Sequence, residues 1–249
     1  MYNYQLSIDR RTIAKVLATT IAFLLVASLA GQVARLVFDH DYVFGLVDLF
    51  NVDTEQNIPT FFTMLVALSN VALFIVIGLG SRQRDKREVV YWFALAAGFL
   101  FLTYDEAFQV HEKMNDPMRK LLGGGHLGFL NFSWVVPGLI GAAVVALLFL
   151  RFLLRLPAST RNPMLLAAAL YLGGCLGMEL IDGKYAEMYG LDPVYMLMTH
   201  LEEGLEMSGM AMLVFALLGH IATVGGRLDI RLPASQAALE VPSAQMEFN

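Results

Sequence analysis

The residues of this 249-residue chain best equipped to do chemistry are acids and histidines set at the ends of apolar stretches. Asp105, Glu106, His111 and Glu112 close one such stretch. Glu179 and Asp182 close another, and His200, Glu202, Glu203 and Glu206 open a third. Helical spacing sorts them further. At 100° per residue, Asp105, Gln109 and Glu112 share a face, with Glu106 about a quarter turn away and His111 pointing elsewhere. Glu179 and Asp182 are one turn apart, while Glu203, Glu206 and Met210 share a face bordered by His200. Carboxylates with one or two imidazoles in a helical bundle are the donor set with which proteins hold paired iron, manganese or zinc. The expectation is a divalent-metal site with Glu106, His111, Glu179, Asp182, His200, Glu203 and Glu206 as ligands, and Asp105 or Glu112 as general base. The spacing departs from the usual di-iron motif, because His200 precedes Glu203 where a Glu would normally precede a His.

These acids need partners. If the stretch containing Asp105 enters the membrane at Val89, Asp105 is roughly 24 Å in, at about 1.5 Å per residue, still short of the far headgroups. An ionised carboxylate there costs several kcal/mol unless neutralised. The nearby bases are Arg35, Lys113 and Lys184, too few for the acids present. Protonation, water in an outward vestibule or bound cations must supply the difference, and the donor set favours cations. Other residues have plainer explanations. Met178, Met207 and Met210 read as apolar filler, Tyr104, Tyr185 and Tyr189 as an interfacial aromatic belt, and His220 as a residue of the opposite end.

The elements that must position these groups are membrane helices. The chain is 57% hydrophobic and 16% charged, with a mean hydropathy of +0.60. About 20 apolar residues cross a 30 Å hydrocarbon core, so this length has room for about six spans joined by short loops. Apolar runs at 13–38, 59–79, 89–104, 129–154, 164–181 and 195–224 supply them. The fold class is therefore all-α, an integral membrane bundle of about six transmembrane helices. Its spans occupy one domain, 1–225, followed by a disordered cytoplasmic tail, 226–249, that has no long apolar run. The segment 39–57 alternates polar and apolar residues and predicts a short interfacial helix.

Twelve of the 17 Lys and Arg residues fall on one side when six helices are threaded alternately, among them Arg10, Arg11, Arg82, Arg87, Arg151 and Arg155. Basic residues are retained in the cytoplasm, which predicts an N-in, C-in topology with the acids facing outward. The basic start, apolar run and small residues near Ala27 to Gly31 also fit a cleavable signal peptide, but the apolar run continues to Phe38. Cys175 is the single cysteine, so no intramolecular disulfide forms. The net charge of −5 gives no basic surface for nucleic acid.

Asp105 and Glu106 followed by His111 and Glu112, with the acids from Glu202 to Glu206 opening a later helix, resemble a group of uncharacterised bacterial multi-pass membrane proteins. The resemblance spans the third to sixth helices and brings no activity with it. In layout the outward acid and His site also looks like that of ceramidase-type membrane hydrolases. The three histidines and Ser of that family are missing here, so its chemistry does not transfer. The expected function is a multi-pass protein of the bacterial inner membrane with an outward-facing, metal-binding carboxylate and His site. A metal there would activate water or oxygen on a lipid-like substrate. The alternatives are a cation- or proton-coupled transporter built on the same acids, and a noncatalytic accessory or sensor subunit. The lipid bilayer is the expected partner, and oligomeric state is not legible.

Overall fold

With no water in the hydrocarbon core to satisfy backbone groups, a spanning segment closes its hydrogen bonds internally and leaves only its ends to be capped. The caps are legible residue by residue. Asp9 accepts from the N–H of Arg11 and Thr12 at 3.1 and 3.2 Å. Asn57 accepts from Thr60, and Asp85 from Arg87. Asp192 accepts from Val194 and Tyr195, both at 2.9 Å, with Pro193 in the first turn where its missing N–H costs nothing.

The computed structural model describes residues 9–82 and 85–224, and every regular element in it is helical. The elements are α1 (Arg10–Phe38), α2 (Leu46–Phe50), α3 (Ile58–Ser81), α4 (Lys86–Phe108), α5 (Val110–Leu121), α6 (Val135–Arg155), α7 (Ala158–Leu172), α8 (Glu179–Tyr189) and α9 (Pro193–Thr223). A π-helical turn, Gly173–Met178, joins α7 to α8 without a break in the helix path. Six segments are long and apolar enough to cross a membrane, with α7, the π-turn and α8 counted as one, as the apolar runs predicted. The predicted tail, 226–249, lies outside the described residues.

α9 is the hub. Of its most apolar stretch 56% is buried inside the protein, against 11% for α6, and it packs on α1, α3 and α7. Close approach to α7 depends on Gly209, where an added Cβ would lie 2.6 Å from the Tyr171 backbone N and 2.9 Å from the Ala167 carbonyl oxygen. Small residues at such crossings let membrane helices gain dispersion contact that lipid cannot offer more cheaply. Trp92 closes the end opposite the acids. It is wholly buried, edge-on to Phe152 at 5.0 Å and tilted against His220, whose Nδ1 meets the Thr160 hydroxyl at 3.1 Å.

Two elements differ from the sequence expectation. The helix carrying Asp105 does not run on through Met114. It stops at Phe108, and Gln109 turns left-handed at φ 53°, ψ 46°, before α5 leaves in a new direction. The facial argument for His111 and Glu112 therefore fails, since they no longer share a helix with Asp105. The connection after α1 holds only a 3₁₀ turn and the five residues of α2. It buries Val47 and Val52 against the bundle instead of lying as one interfacial helix.

Candidate functional site

The break at Gln109 makes the first half of the site. Turning the chain sends the His111 ring back over the end of α4, where Asp105 receives it. The His111 backbone N–H donates to Asp105 Oδ1 at 2.8 Å, and His111 Nδ1 lies 2.9 Å from Oδ2. One carboxylate thus caps the turn and orients the imidazole. With Nδ1–H held, Nε2 is the nitrogen left for a ligand, the arrangement in which a carboxylate orients a metal-binding histidine. The ring rests on Trp134, with centroids 4.8 Å apart.

The second half arrives from the loop before α3. Asn51 accepts from Gln32 on α1 and from the Asp53 N–H, while Asn57 donates to the carbonyl oxygens of Asn51 and Thr54. This knot holds Glu55 over α5. A carboxylate oxygen of Glu55, a ring nitrogen of His111 and a carboxylate oxygen of Glu112 all lie within 4.8 Å of one another. Glu55 Oε2 is buried and has no hydrogen-bond partner among the described residues. Burial, with the Glu106 charge added, pushes the Glu55 carboxyl up to about 7, His111 pulling the other way. For His111, burial works against the charged form, yet the Asp105 hydrogen bond and the charges of Asp105, Glu55 and Glu112 leave its pKa raised. An open cavity of about 440 Å³ borders Glu55, walled by Thr54 and Asn57 on one side and Gly45 and Asp48 on another.

Behind this triad the carboxylates continue inward. Glu203 is within electrostatic reach of Glu106 and Glu55, and Glu206 of Glu203 and Glu106. A third group stands beside α6. Glu179 accepts from the Trp134 indole N–H at 2.6 Å, and the Glu202 carboxyl faces both Glu179 and Asp182. Gly174, in the π-turn, makes that possible. A Cβ there would sit 2.7 Å from Glu206 Cγ and 2.8 Å from the Glu202 carbonyl oxygen.

The bases that might have balanced these acids are engaged elsewhere. Arg35 pairs with Asp41 at 3.7 Å on the exposed surface. Lys113 donates to the Phe108 carbonyl, and Lys184 lies over the Phe129 ring, 4.4 Å from its centroid. Arg119 is spent on the Asn131 and Gly125 carbonyls and the Asn131 side chain. Among the described residues no Lys or Arg forms an ion pair with any acid of the cluster.

Of the residues singled out from sequence, the structure gathers Asp105, Glu106, His111, Glu112, Glu179, Asp182, Glu203 and Glu206 around one cleft. His200 stands apart in role. Its Nδ1 meets the Met196 carbonyl at 2.7 Å and its Nε2 the Ser28 hydroxyl at 2.9 Å, so both nitrogens tie α9 to α1. Ser28 also accepts from the Val52 N–H, which fastens the loop leading to Glu55. Glu55 itself went unread in the sequence, where it is one acid in a polar loop. Glu202 was seen only as a flank of the Glu203 face, and Trp134 only as a helix opener.

A family model described as a domain of unknown function, DUF8692, matches residues 16–221, nearly the whole membrane bundle and every acid of the cleft. The chain belongs to the DUF8692 family. No curated protein and no solved structure matches it. The family boundaries take in Glu55 and Glu206 alike, so the DUF8692 unit contains both the loop and the helices that build the cleft.

Proposed function

We propose that this DUF8692 protein binds a divalent transition metal through Glu55, His111 and Glu112 and uses it as a membrane enzyme on a lipid-like substrate. The observation that carries the reading is the convergence of those three ligand atoms within 4.8 Å in an acid-rich cleft that no Lys or Arg enters. Two carboxylates with one imidazole suit manganese, iron or zinc and leave coordination positions open for water. A metal so held lowers the pKa of bound water or polarises an ester or amide carbonyl. Asp105, expected as a general base, serves here to orient His111, and Glu112 acts as the exposed third ligand. Glu106, Glu203 and Glu206 stand next inward, where they accept protons or complete the coordination.

An amphipathic substrate suits the setting. The cavity beside Glu55 is open, and Tyr104, Phe108 and Phe129 expose their rings close by. The distribution of basic residues supports a cleft facing outward from a bacterial inner membrane. Transport is the weaker reading, since inward of Glu206 α9 buries Met207, Met210, Leu213, Val214 and Leu217, with no further acid to carry a cation. The test is metal analysis of detergent-purified protein. Wild type should carry metal that Glu55→Gln and His111→Ala lose while keeping their elution profile, and full retention in both variants would sink the assignment.

A further inference from the structure

Glu179, Asp182 and Glu202 take no part in the triad, and their situation is harder to sustain. Asp182 is 0% exposed, and neither of its oxygens meets an N–H or hydroxyl donor among the described residues. Across from it stands the carboxyl of Glu202, 8% exposed, which also faces Glu179. A buried polar group without a partner costs about 1–3 kcal/mol, and a buried charge without one costs more. A proton between two carboxyls relieves one pair of oxygens and leaves the remaining lone pairs unmet. A hard cation meets several at once.

The surroundings are built to hold these oxygens in place. Trp134 donates to Glu179 at 2.6 Å, the kind of outer contact that fixes the direction of a ligating carboxylate. The π-turn Gly173–Met178 directly precedes Glu179, and such turns recur where a helix must aim side chains at a site. Gly174 brings the Glu202 backbone against this turn, at a separation no other residue would allow.

The geometry points to a second cation subsite, in which Glu179, Asp182 and Glu202 bind a hard divalent ion of the Mn²⁺, Mg²⁺ or Ca²⁺ class. Its donors are all oxygen, whereas the Glu55, His111 and Glu112 set includes an imidazole. The two subsites therefore differ in preference, the inner one taking Mg²⁺ and Ca²⁺ more readily. The inference rests on the metal reading above in treating the cleft as a cation site, yet it shares no ligand with it.

The experiment adds Mn²⁺ alone to chelator-stripped, full-length protein in detergent, with equilibrium dialysis and electron paramagnetic resonance as readouts. Wild type should bind about two equivalents, of which excess Mg²⁺ or Ca²⁺ displaces about one. Asp182→Asn and Glu202→Gln should each lose the displaceable equivalent and keep the other, and Glu55→Gln should do the reverse. The displacement measurement needs no variant, so it decides the matter even if both substitutions prevent folding. A wild type with one equivalent that Mg²⁺ and Ca²⁺ leave in place overturns the second subsite while the outer one stands. The second subsite is equally overturned if both inner variants elute normally and keep the displaceable ion. No binding at all overturns both readings.

Discussion

Acidification should strip metal from the outer site steeply, because two of its three ligands must lose a proton before they can coordinate. Glu55 titrates at about 7, raised by burial and then by the Glu106 charge. Between about pH 8 and about pH 6 its ionised fraction falls from roughly nine-tenths to roughly one-tenth, a loss of about tenfold in affinity. His111 is held above its ordinary value of 6.5 against the pull of burial, chiefly by Asp105. Over the same interval it contributes at least about fourfold more, for a combined loss of about fortyfold. Equilibrium dialysis with Mn²⁺ across this range measures it, and Glu55→Gln should remove the tenfold component from the pH dependence. The metal-free protein should behave oppositely. Native Glu55 keeps its proton up to about 7 while the unfolded chain releases it near 4.5, so this group makes the fold less stable as pH rises between those values. His111 acts in the same sense, its contribution complete below 6.5 and lost as pH climbs through its raised value. Thermal unfolding should thus show a midpoint that falls with pH in chelator and rises with pH in Mn²⁺. Parallel trends, or an affinity flat from pH 6 to 8, would refute the reasoning.

Two further substitutions test the scaffold. Asp105→Asn removes the charge that orients His111 and should weaken Mn²⁺ binding at the outer site by roughly 10–100-fold while leaving Mg²⁺-displaceable binding in place; equal affinity in wild type and variant by dialysis counts against the orienting role. Gly209→Ala forces a Cβ against the Tyr171 and Ala167 backbone, which cannot swing aside as a side chain could, and should destabilise the bundle by about 1–3 kcal/mol. An unchanged unfolding midpoint in detergent would show that α7 and α9 do not meet there.

The spans were legible in the sequence because apolar length is a one-dimensional signal, and the helix starts because Asp9, Asn57, Asp85 and Asp192 announce them locally. The break at Gln109 was not. No Gly or Pro marks it, and a glutamine in the left-handed region is held there by Asp105 capping the turn, an interaction visible only once the chain has doubled back. Glu55 escaped for a related reason. Its place depends on Asn51, Gln32 and Ser28, contacts between loop and helix that no periodicity encodes. Counting bases against acids did foresee the imbalance, and the structure deepens it, since Arg35, Lys113 and Lys184 all turn to other partners.

The π-turn at Gly173–Met178 is equivalent to one residue slipped into an otherwise continuous helix. A residue advances an α-helix by about 100°, so this single insertion sets the angular phase of everything beyond it. On one side of the turn, Ala167 and Tyr171 keep step with Gly209. On the other, Glu179 and Asp182 are rotated to meet Glu202. One rod thereby obeys two timetables, the first set by close packing and the second by charge. A deletion of one residue within the turn would leave the span its length and hydropathy while swinging both acids about a quarter of a circle out of the cleft.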